Sequence, residues 1–108
     1  MAVTPKALGS GVLTNSMVTL VTAPSATKYR ISAFTVTNTS ASAVTFSVQV
    51  SASGGTTRLV ASGISLGAGE TKSVTGAIGH VVEASGYVQG SASTTSVVDY
   101  YISGYEIV

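Results

Sequence analysis

The sequence contains no cysteine and no tryptophan, and it carries very few charges. Five Lys or Arg residues and four Asp or Glu residues make 8% of the 108 residues charged, where an ordinary globular domain has about 25%. The absence of cysteine excludes a disulfide scaffold and a cysteine zinc site. Five dispersed basic residues argue against a face that follows nucleic-acid phosphates, so no nucleic-acid partner is expected.

Long apolar runs are missing as well. Ser, Thr and Gly interrupt every hydrophobic stretch before it reaches the roughly 18 residues that suggest a membrane span. Residues 1–6 show no charged segment followed by an apolar segment, which a signal peptide would require. With 44% hydrophobic residues and a net charge of +1, the chain is expected to fold as one domain, in the cytoplasm and away from membranes.

The residues that are abundant favour β-structure. Val, Ile and Thr together supply 36 residues, and β-branched side chains suit the half-buried surface of a sheet. Twelve glycines fall mostly between the apolar runs, where turns occur. No segment shows the apolar spacing of an amphipathic helix. We therefore predict an all-β protein, a single antiparallel β-sandwich of about eight short strands with jelly-roll or immunoglobulin-like topology.

Two strands are predicted most clearly. In residues 44–50, apolar and polar residues alternate strictly, which is typical of a strand with one buried face. In residues 29–38, Tyr29 and Ile31 share one face but Phe34 and Val36 share the other. This change of phase predicts a β-bulge near Ala33, or burial on both faces. A turn at residues 38–42 joins the two strands. The other strand candidates are residues 17–22, 58–61, 64–66, 71–75, 81–83, 87–92 and 97–108.

The chain is predicted to divide into an N-terminal arm, residues 1–11, and the sandwich domain, residues 12–108. Pro5, Gly9 and Gly11 oppose regular structure in the arm. An extended arm of this kind could reach a neighbouring protein. The arm residues proposed to make that contact are Val3, Thr4, Pro5, Lys6 and Leu8.

Three of the five tyrosines occur in a six-residue stretch, residues 100–105, of the last predicted strand. Val98, Tyr100 and Ile102 would line one face, and Val97, Tyr101, Tyr105 and Ile107 the other. Either both faces are buried in the sandwich, or one face packs the core and the other contacts a second subunit, because tyrosine is enriched at interfaces. The residues proposed for a subunit interface are Tyr100, Tyr101, Tyr105 and Ile107.

Several short motifs come close to known chemistry without completing it. Residues 63–67 match the G-x-S-x-G pattern around Ser65, but a strand pattern follows where a nucleophile elbow needs a helix. Residues 67–73 lack the Gly before Lys72 that a phosphate loop requires. His80 is the single histidine and has only dispersed carboxylates as possible co-ligands. We therefore predict no enzymatic activity, no catalytic residue, no cofactor and no metal site.

The low charge itself points to association. A near-neutral surface promotes association, and residues 44–50 would be an aggregation hazard at an exposed sheet edge. We therefore expect that strand to be buried centrally or paired with another chain. A protein whose surface is largely covered by partners needs few charges, which is the pattern expected of a subunit in a symmetric assembly.

Three parts of the sequence resemble small bacteriophage virion structural proteins. They are residues 29–31 leading into 36–40, residues 66–70, and residues 102–108 with 87–92 before them. The resemblance covers roughly residues 20–108 and implies a β-sandwich subunit of the virion. Such proteins decorate the capsid as cement between major capsid proteins, often as trimers, or form parts of tails and fibres.

From the composition and this resemblance we expect a capsid decoration protein on the capsid surface. It would be a homotrimer that binds the major capsid protein only in the assembled lattice and stabilises the shell by mass action. The alternative is a tail or fibre module that binds a glycan or receptor on the host surface. That function normally needs exposed aromatic side chains, and we expect the tyrosines to be buried.

Overall fold

The computed structural model describes residues 2–51 and 56–108, and these residues form an all-β sandwich. Within them, nine strands build two antiparallel sheets and no helix is present. The strands are β1 (Val3–Val12), β2 (Val18–Thr22), β3 (Lys28–Asn38), β4 (Val44–Ser51), β5 (Thr57–Leu66), β6 (Thr71–Ser73), β7 (Val81–Val82), β8 (Tyr87–Ala92) and β9 (Val98–Ile107). The predicted fold class is confirmed.

The two sheets are built mainly from strands that are distant in sequence. The five-stranded sheet has the order β1-β9-β3-β6, with β7 also paired to β3. The four-stranded sheet has the order β2-β8-β4-β5. Among the described residues, β4 and β5 are the one pair of consecutive strands that are also hydrogen-bonded neighbours. Strand β9 lies between β1 and β3, so the tyrosine-rich strand is central in its sheet.

The two clearest predictions about single strands are confirmed. The apolar residues of β4 are buried, namely Val44, Phe46, Val48 and Val50. In β3, the register against β9 shifts between Ile31 and Ala33, which is the bulge that the change of phase predicted. The bulge turns Phe34 and Val36 to the same side as Tyr29 and Ile31, and all four side chains are buried.

The prediction that residues 1–11 form an arm without regular structure was wrong. Residue 1 lies outside the described residues, and residues 3–12 form β1, which pairs with β9 along its length. Pro5 is tolerated because β1 is an edge strand in the part of the chain that the structure describes, and proline can occupy an edge strand. Gly9 lies at a register shift, which is a common position for glycine in a strand.

A second difference concerns β5. Residues 58–61 and 64–66 were predicted as separate strands, but they belong to one strand that continues through Gly63. Gly63 has a φ of 56°, which glycine adopts without steric cost. The register against β4 shifts on either side of Val48. The residues of β5 without a partner at these shifts form bulges, and the strand continues beyond them.

The core lies between the two sheets. Phe34, Ile31 and Ile102 from one sheet are fully buried, as are Val48 and Val88 from the other. Each of these residues occupies the inward position of an alternating strand. The sheets are thereby held together mainly by aliphatic side chains, as the high content of β-branched residues indicated.

Candidate functional site

Strand β9 presents one face to the core and the other to the outside. Val98 and Ile102 are fully buried, whereas Tyr101 is 53% exposed and Tyr105 is 40% exposed. The expectation that the tyrosines are buried was therefore wrong for these two. Their outward position follows from the two-residue period of the strand.

The strand register brings the two predicted sets of contact residues onto one surface. Val3 of β1 is the cross-strand partner of Ile107, and Pro5 is the partner of Tyr105. Directly opposed residues of antiparallel strands point to the same face. The arm residues and the interface residues were predicted separately, and part of each set forms a single outer surface.

We call this outer surface of the five-stranded sheet the tyrosine face. Its members are exposed or half-buried residues in mutual register: Val3, Pro5, Ala7, Ser10 and Val12 of β1; Asp99, Tyr101, Ser103, Tyr105 and Ile107 of β9; Lys28, Arg30, Ala33, Thr35 and Thr37 of β3; Thr71 and Ser73 of β6; and Val81 of β7.

Some of the predicted residues do not belong to the tyrosine face. Tyr100 has the opposite orientation in β9, and its ring lies over Gly11, where an added Cβ would be 3.2 Å from the hydroxyl oxygen. Partial burial raises the pKa of Tyr100 above its usual value. Leu8 is half-buried and packs against the core. Tyr100 and Leu8 therefore contribute to the sandwich itself.

Lys6 and Thr4 also alternate away from the tyrosine face. The Lys6 ammonium forms a salt bridge of 3.0 Å with Glu106 and lies 5.7 Å from the centre of the Tyr29 ring. The hydrogen bond to Glu106, with a smaller contribution from Tyr29, raises the pKa of Lys6. This salt bridge links β1 to β9.

Two shallow depressions flank the centre of the tyrosine face. The first has a volume of about 520 Å³ and is lined by Val3, Arg30, Ile31, Ser32, Ile78, Gly79, Tyr105 and Ile107. The second has a volume of about 420 Å³ and is lined by Ser10, Gly11, Val12, Thr35, Thr37, Asp99, Tyr100 and Tyr101. Each depression thus contains one exposed tyrosine and one charged residue of the face.

The sequence interpretation missed several residues of this surface. Arg30 and Asp99 belong to it, as does Val81, which is 41% exposed. Ile78, which is 39% exposed, lines the first depression beside it. Alternation along β3 does place Arg30 on the outer face of the strand, because its neighbour Ile31 is on the buried face. Its position beside Tyr105, however, depends on the pairing of β3 with β9, and periodicity along one strand contains no information about pairing.

The side chains that the incomplete motifs singled out, Ser65, Lys72 and His80, are not members of the tyrosine face. Ser65 is inside β5, and its carbonyl oxygen accepts a hydrogen bond of 2.6 Å from the Lys72 ammonium. The Glu70 carboxylate accepts a hydrogen bond of 2.7 Å from the backbone N–H of Gly67, which stabilises the turn before β6. His80 lies in the segment between β6 and β7. In residues 2–51 and 56–108, no three His, Cys, Asp or Glu side chains are grouped closely enough to hold a metal ion.

The outer side of the four-stranded sheet is uncharged where its central strands meet. The Gln49 amide donates a hydrogen bond of 2.6 Å to Gln89, and the Gln89 amide donates one of 3.2 Å to Thr19. The three side chains form a ladder across β4, β8 and β2. The exposed tyrosines of β9 therefore lie on one outer face, whereas hydroxyl and amide groups occupy the middle of the other.

The comparisons with known proteins give no family for this chain. No protein-family model, curated protein or solved structure matches it. Within the described part of the chain, the structure has no helix with the length and hydropathy of a membrane span.

Proposed function

We propose that this protein is a bacteriophage capsid decoration protein that binds the assembled lattice and stabilises it without catalysis. The observation that supports this most strongly is the tyrosine face. Exposed Val3, Tyr101, Tyr105 and Val81 share one surface of a regular sheet. Contiguous exposed apolar surface on a small soluble protein commonly marks a contact with another protein, and tyrosine is enriched in such contacts.

The low charge supports the same proposal. The tyrosine face carries three charged residues, and the Gln–Thr ladder on the opposite sheet carries none. A sandwich with two sparsely charged outer faces suits a position between other subunits, where solubility depends on the whole particle. The partner would be the major capsid protein, and the place of action would be the capsid surface.

Edge strand β1 is the proposed lattice contact. Val3, Thr4, Pro5 and Lys6 are all exposed along it, and among the described residues no strand pairs with one edge of β1. A free sheet edge can be covered by a neighbouring subunit. In this proposal residues 1–11 do not extend away from the domain. They contact a neighbouring subunit as strand β1, from their place in the sheet.

Co-sedimentation with capsid shells tests the proposed function. The purified chain should bind assembled shells of the phage that encodes it and leave the unassembled capsid protein in the supernatant. Saturated shells should also release their contents at a higher temperature than bare shells, because a ligand specific for the assembled state stabilises that state. Equal binding to assembled and unassembled protein, or no binding to either, would contradict the proposal.

A pair of matched substitutions tests the contact at β1. Val3 is 56% exposed on β1 and Leu59 is 57% exposed on β5, in the other sheet. Val3→Asp should weaken binding to shells about tenfold, since it places a charge in an apolar contact, whereas Leu59→Asp should not change it. Equal effects of the two substitutions would rule out β1 as the contact.

A second candidate function is a tail or fibre module that binds a glycan on the host surface. The exposure of Tyr101 and Tyr105 favours it, because each ring borders a depression where a sugar could stack. A glycan array distinguishes the two functions. Saturable binding to one glycan class, abolished by Tyr101→Ala or Tyr105→Ala, would favour the tail module over the decoration protein.

A further inference from the structure

We propose that the tyrosine face of one molecule packs against the tyrosine face of a second copy in an antiparallel two-fold pair. The two-fold axis would lie between the facing five-stranded sheets of the two copies. It would pass over Ser103 of β9, at right angles to the strand. This inference rests on the proposed function only in treating the face as a protein contact. The inference goes further in stating that a second copy of this chain covers the face. It also predicts a two-fold dimer, whereas the resemblance implied a trimer.

The shape of the face has a centre about which such an axis can act. Ser103 is paired with Ala7 on one side and with Ala33 on the other, so a row of small side chains crosses the three strands. Tyr101 and Tyr105 each lie two residues from Ser103, and a depression accompanies each tyrosine. Small residues at the centre allow the close approach that packed sheets need, roughly 10 Å.

The two-fold operation matches the large side chains of the two copies. Reversal of the strand direction about Ser103 places Tyr105 of one copy opposite Tyr101 of the other. Both tyrosines are exposed in the single molecule, so each ring is free to enter the depression beside the opposing tyrosine. Offset aromatic pairs are favourable beyond the area that they bury. The contact would form twice, once on each side of the axis.

The charges of the face select this orientation. Arg30 borders the depression at Tyr105, and Asp99 borders the depression at Tyr101. Within residues 2–51 and 56–108, neither of them forms a salt bridge, while Lys28 is paired with Glu83 at 3.4 Å. Reversal about Ser103 brings Arg30 of each copy to the end of the other copy that carries Asp99, within about 7 Å along the strand.

A two-fold axis parallel to β9 would give a different result. It would place the same end of the tyrosine face of each copy together, so that Asp99 faces Asp99 and Tyr105 faces Tyr105. Like charges that face each other across an interface are unfavourable. The antiparallel pair, by contrast, forms two identical opposite-charge contacts, and the charge pattern therefore argues for it.

The size of the face predicts a weak pair. Strand rise and spacing give the face a footprint on the order of 600 Å² per copy, below the roughly 800 Å² per partner of a standard stable interface. We therefore expect dissociation in the micromolar range, so that single molecules predominate in dilute solution. Pairing would then occur where the local concentration is high, as on the surface of a particle.

Sedimentation velocity from low micromolar to near-millimolar concentration tests the pair. The wild-type chain should change from monomer to dimer over this range. Asp99→Arg and Arg30→Asp should each weaken dimerisation about tenfold, since each places two like charges together. The double variant, Asp99→Arg with Arg30→Asp, should return the dissociation constant to within about threefold of wild type, because it restores opposite charges in exchanged positions.

One control variant and one further test variant complete the experiment. Arg58→Asp makes the same change of charge on β5, away from the tyrosine face, and should leave dimerisation unchanged. Tyr105→Ser removes an exposed ring without a change of charge and should weaken the dimer. It keeps the proposal testable if a charge variant does not fold, as judged by near-ultraviolet circular dichroism.

The outcomes separate this inference from the proposed function. A monomer at every concentration, a trimer, or a double variant no better than the single variants would overturn the antiparallel pair. Loss of pairing with retained binding to shells would leave the proposed function standing. A dimer that obeys the charge exchange but binds no shells would overturn the proposed function and support the pair.

Discussion

Asn38 connects the turn at residues 38–42 to residues 66–67 through one fully buried amide. Its nitrogen lies 2.7, 3.2 and 3.1 Å from the carbonyl oxygens of Ser42, Leu66 and Gly67, which share the two hydrogens of the amide. Its oxygen accepts hydrogen bonds from the backbone N–H and the hydroxyl of Ser40, at 2.9 and 2.7 Å. The sequence predicted only a turn here, since the partners at residues 66 and 67 come from a distant part of the chain.

Replacement of this amide should be costly. We expect Asn38→Ala to lower the free energy of unfolding by about 3 kcal/mol, because buried carbonyl groups lose their donors and a cavity remains. Urea denaturation measures the change. The matched control is Asn15→Ala, at the chain's other, exposed asparagine, which should change stability by less than about 0.5 kcal/mol. Similar losses from both substitutions would show that the amide network contributes little.

At the scale of single strands, the bulge of β3 requires a glycine in β9. Gly104 is paired with Ile31 next to the register shift, and a Cβ added to Gly104 would overlap the carbonyl oxygen of Arg30. We expect Gly104→Ala to cost about 2–3 kcal/mol, because the bulged backbone must move. At Gly67 an added Cβ makes only an ordinary contact, 3.5 Å from Glu70, so Gly67→Ala should stay within about 1 kcal/mol of wild type. Thermal unfolding of the two variants compares them, and equal melting temperatures would contradict this role of Gly104.

The strands also show what a single sequence can and cannot predict. The strand at residues 44–50 and the bulge near Ala33 were predictable, because burial imposes a two-residue period and a bulge reverses its phase. Strand β1 was missed, because its proline and glycines are unfavourable in a central strand and become acceptable only at an edge. Whether a strand lies at an edge depends on the pairing of the whole sheet, and local patterns do not determine it.

At the scale of the whole molecule, the candidate site was predictable only in parts. The grouping of tyrosines near the C-terminus identified β9 as unusual, and alternation separated Tyr101 and Tyr105 from Ile102. The joining of Val3 and Pro5 to this surface depends on contacts between the two ends of the chain. Arg30 and Asp99 are identified as parts of the site only by the order of the strands in the sheet.

We propose that the tyrosine face is a contact between protein subunits in an assembled particle. A cryo-electron-microscopy reconstruction of capsid shells saturated with this protein would show that contact. We expect added density on the shell, in which the Tyr101 and Tyr105 side chains of each copy are covered by another protein subunit. Shells without added density, or bound copies whose tyrosine face points freely into solvent, would contradict it.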